Sequence, residues 1–237
     1  MYDINIKVLC YSMRLDSYLV EKGFISSRTR AKWAVKNGLV RINGEISVKP
    51  SIKVKFKDKV VVSTGANKPV GYWKLKKLQE EFSLIRPDDV VLDIGSSAGG
   101  FLLCASEIAR RVYGIEFSLA FRPLLDSIEE ESSGRVKIIY GDAFSLDFKK
   151  ELQECVDLIL NDITTEPDES FKVLERSTGI LKDGGRALQV LKMKAEDTRI
   201  RGLTKRLTDM GLEVLHSTTS GKDEHYIVVK KSSIRLH

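Results

Sequence analysis

From Tyr72 onward the chain alternates short, mostly apolar runs with longer segments whose apolar positions recur every three or four residues. The runs at 89–94, 112–116, 136–139, 156–161 and 186–191 predict strands, with two more at 213–217 and 225–230. The amphipathic segments predict helices at 72–83, 100–110, 118–130, 168–180 and 196–210. Short apolar runs without alternation fit strands covered on both faces. Strand–helix alternation over this length therefore predicts an α/β domain, with a mostly parallel seven-stranded sheet between layers of helices. The last two runs are joined by a short Thr-Ser-Gly-Lys-Asp loop and are expected to form an antiparallel pair at the sheet edge.

Before Tyr72 the pattern is different. Residues 13–62 read as a compact α+β unit, in which Arg14 to Glu21 forms a short helix stopped by Gly23. Ser26 or Ser27 can cap a second helix running to Asn37. Asn43-Gly44 between alternating residues is a strong type I′ hairpin signal. The run from Ile52 alternates, which is expected to place Ile52, Val54 and Phe56 on one face and Lys53, Lys55 and Lys57 on the other. Residues 63–71 are small, polar and broken by glycine and proline, as in a linker. The expected organisation is thus a small unit over 1–62, a linker over 63–71 and a large domain over 72–237.

Charge sharpens that division. The net charge is +6, but residues 1–62 carry 13 Lys and Arg against 5 Asp and Glu, while the rest carries 26 against 28. A basic excess confined to one small unit points to a polyanion-binding module. On the second helix Arg28, Lys32 and Lys36 recur every four residues and form one basic stripe. Arg14, Arg30, Arg41 and Lys49 are further candidate contacts to phosphate. The three cysteines, Cys10, Cys104 and Cys155, are few and far apart, which suggests thiols in a reducing cytoplasm. No apolar run approaches the ~20 residues needed to span a bilayer. The start of the chain lacks the basic and apolar regions of a secretion signal. His216, His225 and His237 are scattered, so no metal site is expected.

The candidate chemistry begins at the first strand of the large domain. Asp93 and Ile94 run into Gly95, Ser96, Ser97, Ala98, Gly99 and Gly100, and a helix starting near Phe101 follows at once. Small residues at the carboxyl end of a parallel strand let a nucleotide-like ligand approach the backbone. Acids end the next three strands. Glu116 lies about 20 residues past the glycine turn, where a carboxylate can grip a ribose diol. Asp142, followed by Ala143, could accept from an adenine amino group, and Asp162 ends the fourth strand. No G-K-S/T follows the loop, which disfavours a nucleoside triphosphatase.

These motifs resemble known families. R-L-D-x-x-L at 14–19, G-F-I-S-S-R at 23–28 and G-L-V-R-I-N-G at 38–44, followed by Lys49-Pro50-Ser51, resemble the S4 RNA-binding domain. The D-x-G-x-x-x-G-G pattern at 93–100 resembles the cofactor loop of S-adenosylmethionine-dependent methyltransferases, which implies a Rossmann-like fold. Lys74, Asp162, Lys192 and Glu224 match in order the Lys-Asp-Lys-Glu tetrad of FtsJ-type ribose 2′-O-methyltransferases. The combination resembles the TlyA family, which implies methylation of a ribose 2′-hydroxyl in ribosomal RNA or a ribosomal subunit, with S-adenosylmethionine as donor and no metal. The linker lacks the S-R-G-G-L-K-L segment of TlyA-like chains and reads Gly71-Tyr-Trp-Lys, closer to stand-alone FtsJ.

A 2′-hydroxyl is a poor nucleophile, and its proton must leave as oxygen attacks. Lysine ordinarily titrates near 10.4, so burial and a second ammonium are expected to lower Lys192 toward a usable base, with Lys74 positioning the hydroxyl. Lys194 is the alternative to Lys192, and Lys76 or Lys77 could stand in for Lys74. A second functional reading is an RNA-docking assembly factor that keeps the cofactor but not turnover.

Overall fold

The computed structural model describes residues 12–194, 197–219 and 223–233. Cys10, His237, the start of the chain, most of the 219–223 loop and the end of the basic tail lie outside the described residues. The chain divides into two compact units, one ending at Val70 and one beginning at Gly71.

The first unit contains β1 (Ser12–Arg14), α1 (Leu15–Glu21), α2 (Arg28–Lys36), β2 (Val40–Ile42), β3 (Glu45–Ile46), β4 (Lys53–Lys55) and β5 (Val60–Val62). Leu15, Leu19, Ile25, Ala31, Ala34 and Val35 pack α1 against α2, and Val40 and Val54 close the core from the strands. Ser27 caps α2, its Oγ accepting from the Arg30 amide at 3.3 Å. Asn43 and Gly44 both take positive φ, 53° and 90°, which is the type I′ geometry expected of that pair.

Two expectations are corrected and one strand is added. Arg14 belongs to β1, opposite Lys53, and not to the helix. The strand Val60–Val62 carries no alternation and was not foreseen; it pairs antiparallel with β2. Phe56 does not share a buried face with Val54: Val54 is 2% exposed, Phe56 98%. The cause is Asp58. Its carboxylate accepts the Lys55 amide at 2.8 Å, while its own amide donates to the Lys55 carbonyl at 3.0 Å. That turn ends β4 one residue before Phe56.

The second unit runs α3 (Val70–Phe82), β6 (Val90–Ile94), α4 (Gly100–Ser106), β7 (Arg111–Glu116), α5 (Arg122–Glu131), β8 (Val136–Tyr140) and α6 (Phe148–Glu151). It continues with β9 (Val156–Asn161), α7 (Pro167–Ser177), β10 (Leu181–Lys192), α8 (Arg199–Asp209), β11 (Leu212–Thr219) and β12 (Glu224–Lys231). The seven strands lie in the order β11-β12-β10-β9-β6-β7-β8, and β12 alone opposes its neighbours. The last two strands do pair antiparallel, but only β11 is an edge; β12 is inserted between it and β10. Helix α6 was not foreseen, and α4 stops at Ser106.

Both faces of the sheet are covered. Val90, Leu92 and Ile94 of β6 join Phe171, Leu174 and Leu203 in one core, whereas Val91 joins Leu75, Leu102 and Leu125 in the other. This alternation within a continuous apolar run is what a doubly covered strand requires. The chain order reverses at β6, which has β7 on one side and β9 on the other. Ligands of open α/β sheets bind at the carboxyl ends of such strands.

Candidate functional site

The loop after β6 is built for close packing as well as for a ligand. Gly99 has φ 73°, and a Cβ there would collide with Ile128 Cδ1. A Cβ on Gly100 would lie 2.6 Å from the Tyr72 nitrogen and 2.8 Å from the Gly71 Cα. These two glycines therefore let α5 and the start of α3 approach α4. Ala98, Gly99, Gly100 and Phe101 do not line the adjacent cavity.

That cavity, about 250 Å³, opens over the ends of β6, β7, β8 and β9. It is lined by Gly95, Ser97, Glu116, Asp142, Ala143 and Asp162, all singled out from the sequence. It is also lined by Phe117, Phe121, Phe144 and Ile163, which were not. The Glu116 carboxylate accepts the Ser97 and Ser118 amides, each at 2.7 Å, which fixes it on the cavity wall with lone pairs to spare. Asp142 Oδ1 accepts the Phe144 amide at 2.9 Å.

Beneath the loop, Asp93 and Ser96 are 1% and 4% exposed. Asp93 Oδ2 has no hydrogen-bond partner. Burial, opposed by a hydrogen bond from Ser96 and helped by the charges of Asp162 and Glu116, pushes the Asp93 carboxyl up to about 8.

Asp162 connects the cavity to a cluster of four charges. Its Oδ2 accepts from Lys74 Nζ at 2.7 Å and its Oδ1 from Lys192 Nζ at 2.8 Å. Glu224 mirrors it, accepting from Lys192 at 2.5 Å and from Lys74 at 3.1–3.2 Å. Two ammonium groups and two carboxylates thus form a closed ring. The fold explains the convergence. Lys192 and Glu224 are direct register partners on antiparallel β10 and β12. Asp162 follows the last residue of β9, and Lys74 lies in the first turns of α3. Lys74 Nζ also lies 5.2 Å from the Tyr226 ring centroid and 5.7 Å from that of Phe101. The Tyr226 hydroxyl donates to Glu224 at 2.5 Å. Tyr226 was missed in the sequence, although its i, i+2 spacing from Glu224 puts both side chains on one face of β12.

Among the alternatives, Lys194 is exposed and contributes its carbonyl to His225 at 3.0 Å, while Lys76 leans on Trp73 and Tyr72. Neither enters the ring. The expected lowering of Lys192 is overturned. Burial does disfavour its charge, but Asp162 and Glu224 outweigh that and hold it above the usual lysine value. Glu224 is likewise opposed by burial, yet hydrogen bonds from Lys192 and Tyr226 and the charges of both lysines bring it to about 2. The resting ring is fully ionised at these two positions.

In the first unit, Arg28, Lys32 and Lys36 are exposed along α2, and Arg41 and Lys49 are exposed beyond it. Arg30 is partly covered and donates to Ser26 at 3.1 Å. Arg14 and Arg28 also serve the core of this unit. They face the buried Asp16 at 3.0 and 3.5 Å, and Arg14 chiefly lowers its pKa. Among the described residues, no group of three or more His, Cys, Asp or Glu could hold a metal ion. No helix there is long and apolar enough to cross a membrane.

Comparison with known proteins identifies both units. The FtsJ-like methyltransferase profile matches residues 70–231 and the S4 domain profile residues 13–60. Ribosomal RNA large subunit methyltransferase E of Desulfatibacillum aliphaticivorans is 25% identical over 174 residues, covering 66% of this chain and 80% of its own. Hemolysin A of Brachyspira hyodysenteriae is 33% identical over 106 residues, 44% of each chain. The chain spans under half the length of several curated relatives that it matches, Hemolysin A among them. The crystal structure of Aeropyrum pernix fibrillarin with bound S-adenosyl-L-methionine shares the fold, with a TM-score of 0.59 at 23% identity over 67% of this chain and 75% of its own.

Proposed function

The chain belongs to the FtsJ-like methyltransferase family, and from that premise we propose that it methylates a ribose 2′-hydroxyl of structured RNA, ribosomal RNA foremost, using S-adenosylmethionine. The observation that carries this reading is the position of Asp162, which lines the cavity and bonds both lysines of the ring. A donor held in the cavity and a hydroxyl held by the ring meet at that residue.

The residues present suit the donor. Glu116 would take the ribose diol and Asp142 the adenine amino group, with Phe117 and Phe144 supplying apolar walls. S-adenosylmethionine supplies a methyl carbon made electrophilic by its sulfonium. Lys74 and Lys192 would bind and orient the 2′-hydroxyl toward it, and alignment would provide much of the rate. With the donor bound, the neutral form of Lys192 would take the hydroxyl proton as the oxygen is methylated. Asp162 and Glu224 orient both amines and then stabilise the Lys192 ammonium.

Because the carboxylates raise Lys192, its neutral form is scarce at pH 7 and grows about tenfold per pH unit below its pKa. Turnover is therefore expected to climb with pH into the alkaline range. The basic face of the first unit docks the RNA by neutralising phosphate, and action on ribosomal RNA puts the protein in the cytoplasm.

The test is transfer of labelled methyl from S-adenosylmethionine into ribosomal RNA and ribosomal subunits, with the product mapped by resistance to alkaline cleavage. Lys192→Ala should lower transfer about 10²–10⁴-fold, the usual worth of a general base, with donor binding retained. Donor binding without transfer to any RNA would favour the assembly-factor reading. Undiminished transfer by Lys192→Ala would remove that lysine from the mechanism.

A further inference from the structure

We propose that the turn between β4 and β5 is a second RNA contact, in which Phe56 stacks on an unpaired base. It rests on the reading of the first unit as an RNA-binding module and names the kind of RNA that module takes. Phe56 is 98% exposed, so nearly the whole ring faces solvent. A phenylalanine in that position contributes nothing to the core, whose strand residue is Val54.

The turn that presents it is held from several sides. Asp58 closes the turn onto Lys55. Asp58 Oδ1 also accepts from Asn43 Nδ2 at 3.0 Å, and Asn43 Oδ1 accepts the Lys59 amide at 2.9 Å. The β4–β5 turn is thereby pinned to the β2–β3 hairpin, and the exposed ring stands on a fixed support. Hydrogen bonding from the Lys55 amide and from Asn43 lowers the Asp58 pKa, so this clamp is ionised at neutral pH.

Its surroundings decide the partner. Lys53, Lys55, Lys57 and Lys59 are all exposed, two before the ring and two after it. An apolar protein surface would have to desolvate four ammonium groups to reach Phe56. An RNA backbone is attracted by them, and an aromatic among lysines is the arrangement that binds unpaired bases. A paired duplex offers no base face to stack on. Phe56 therefore contacts a loop, bulge or single-stranded end, while Lys53, Lys55, Lys57 and Lys59 hold neighbouring phosphates.

The experiment uses the full chain and two probes: an RNA hairpin with 2-aminopurine in its unpaired apical loop, and a blunt RNA duplex of matched length. Binding is followed by anisotropy and by 2-aminopurine fluorescence. Phe56→Ala should weaken hairpin binding by about tenfold, the loss of one aromatic–base stack, and abolish the fluorescence change. It should leave duplex binding within about twofold, and Phe56→Tyr should restore the hairpin. Equal binding of the hairpin by wild type and Phe56→Ala overturns the proposal while leaving the RNA-binding reading intact. Parallel loss on both probes overturns it as well, because the effect would then not be stacking. Failure of the wild type to bind either probe sinks both readings together.

Discussion

Gly100→Ala separates two reasons for a glycine in the loop after β6. If the glycine makes room for a ligand, alanine should damage donor binding. If it makes room for α3, alanine should damage stability and the position of Lys74. The structure favours the second. The added Cβ would lie 2.6 Å from the Tyr72 nitrogen and 2.8 Å from the Gly71 Cα, both backbone atoms that no rotamer change can move. Ordinary contact begins at 3.4 Å, so the start of α3 must retreat by about 0.8 Å. Alanine gains about 1 kcal/mol of helix propensity, which overpacking of about 1–3 kcal/mol exceeds or cancels. Lys74, two residues beyond Tyr72, would be drawn from 2.7 and 3.1 Å to about 3.5 and 3.9 Å from the two carboxylates, the edge of hydrogen-bond reach and past it. Its flexible side chain can recover one contact but not both. Methyl transfer should then fall by about 10- to 100-fold, the scale of a 1 Å misplacement. Thermal unfolding, calorimetric titration of S-adenosylmethionine and methyl transfer on one preparation test this. A tenfold or greater loss of donor affinity with an unchanged melting temperature would refute the packing argument.

Other perturbations follow from the same geometry. Arg186 and Asp89 form an ion pair at 2.5 Å with side chains only 8% and 7% exposed, so Asp89→Ala strands a buried charge and should cost about 3–5 kcal/mol in urea unfolding; an unshifted midpoint would contradict it. Asp93 has a folded pKa of about 8, above its ordinary value of 3.8, so the folded state holds a proton that the unfolded state releases. Wild-type stability should therefore fall as pH rises through that window, and Asp93→Asn should gain in relative melting temperature between pH 4 and pH 8. A constant gap between the two proteins would show that Asp93 is ionised throughout.

The central strands were legible because they are buried on both faces: β6, β7, β9 and β10 are apolar or glycine at most positions and do not read as alternating, half-solvated strands. What the sequence hid was decided by tertiary contacts. Phe56 alternates correctly with Val54 and still faces solvent, because one carboxylate three residues beyond Lys55 turns the chain. Val60–Val62 has no alternation to read, and α6 is a single turn whose Asp147 cap only the folded loop reveals. At the site, the four charged residues were named from their order along the chain, but Lys192 was expected to be lowered by burial and by its lysine neighbour. The attraction of the two carboxylates outweighs burial, and spacing in sequence holds no information about that balance. Phe117, Phe121 and Phe144 were passed over because single aromatics after strand ends look like any loop residue until the strands are side by side.

The position of β12 ties the fold to the chemistry. Were it the outer strand, β11 would adjoin β10 and nothing would oppose Lys192. Inserted and reversed, β12 sets Glu224 directly across from Lys192 and raises Tyr226 beneath the same carboxylate. Reversal also matters for charge. The carboxyl ends of β6, β9 and β10 all point to one side, where Asp162 and Lys192 gather, while β12 begins there and contributes its first residue. An additional parallel strand would arrive at that side only at its end, after another crossover helix. The one antiparallel strand thus supplies the second carboxylate without lengthening the domain, and that carboxylate completes the neutral ring in which two lysines can stand within hydrogen-bond reach of the same acids.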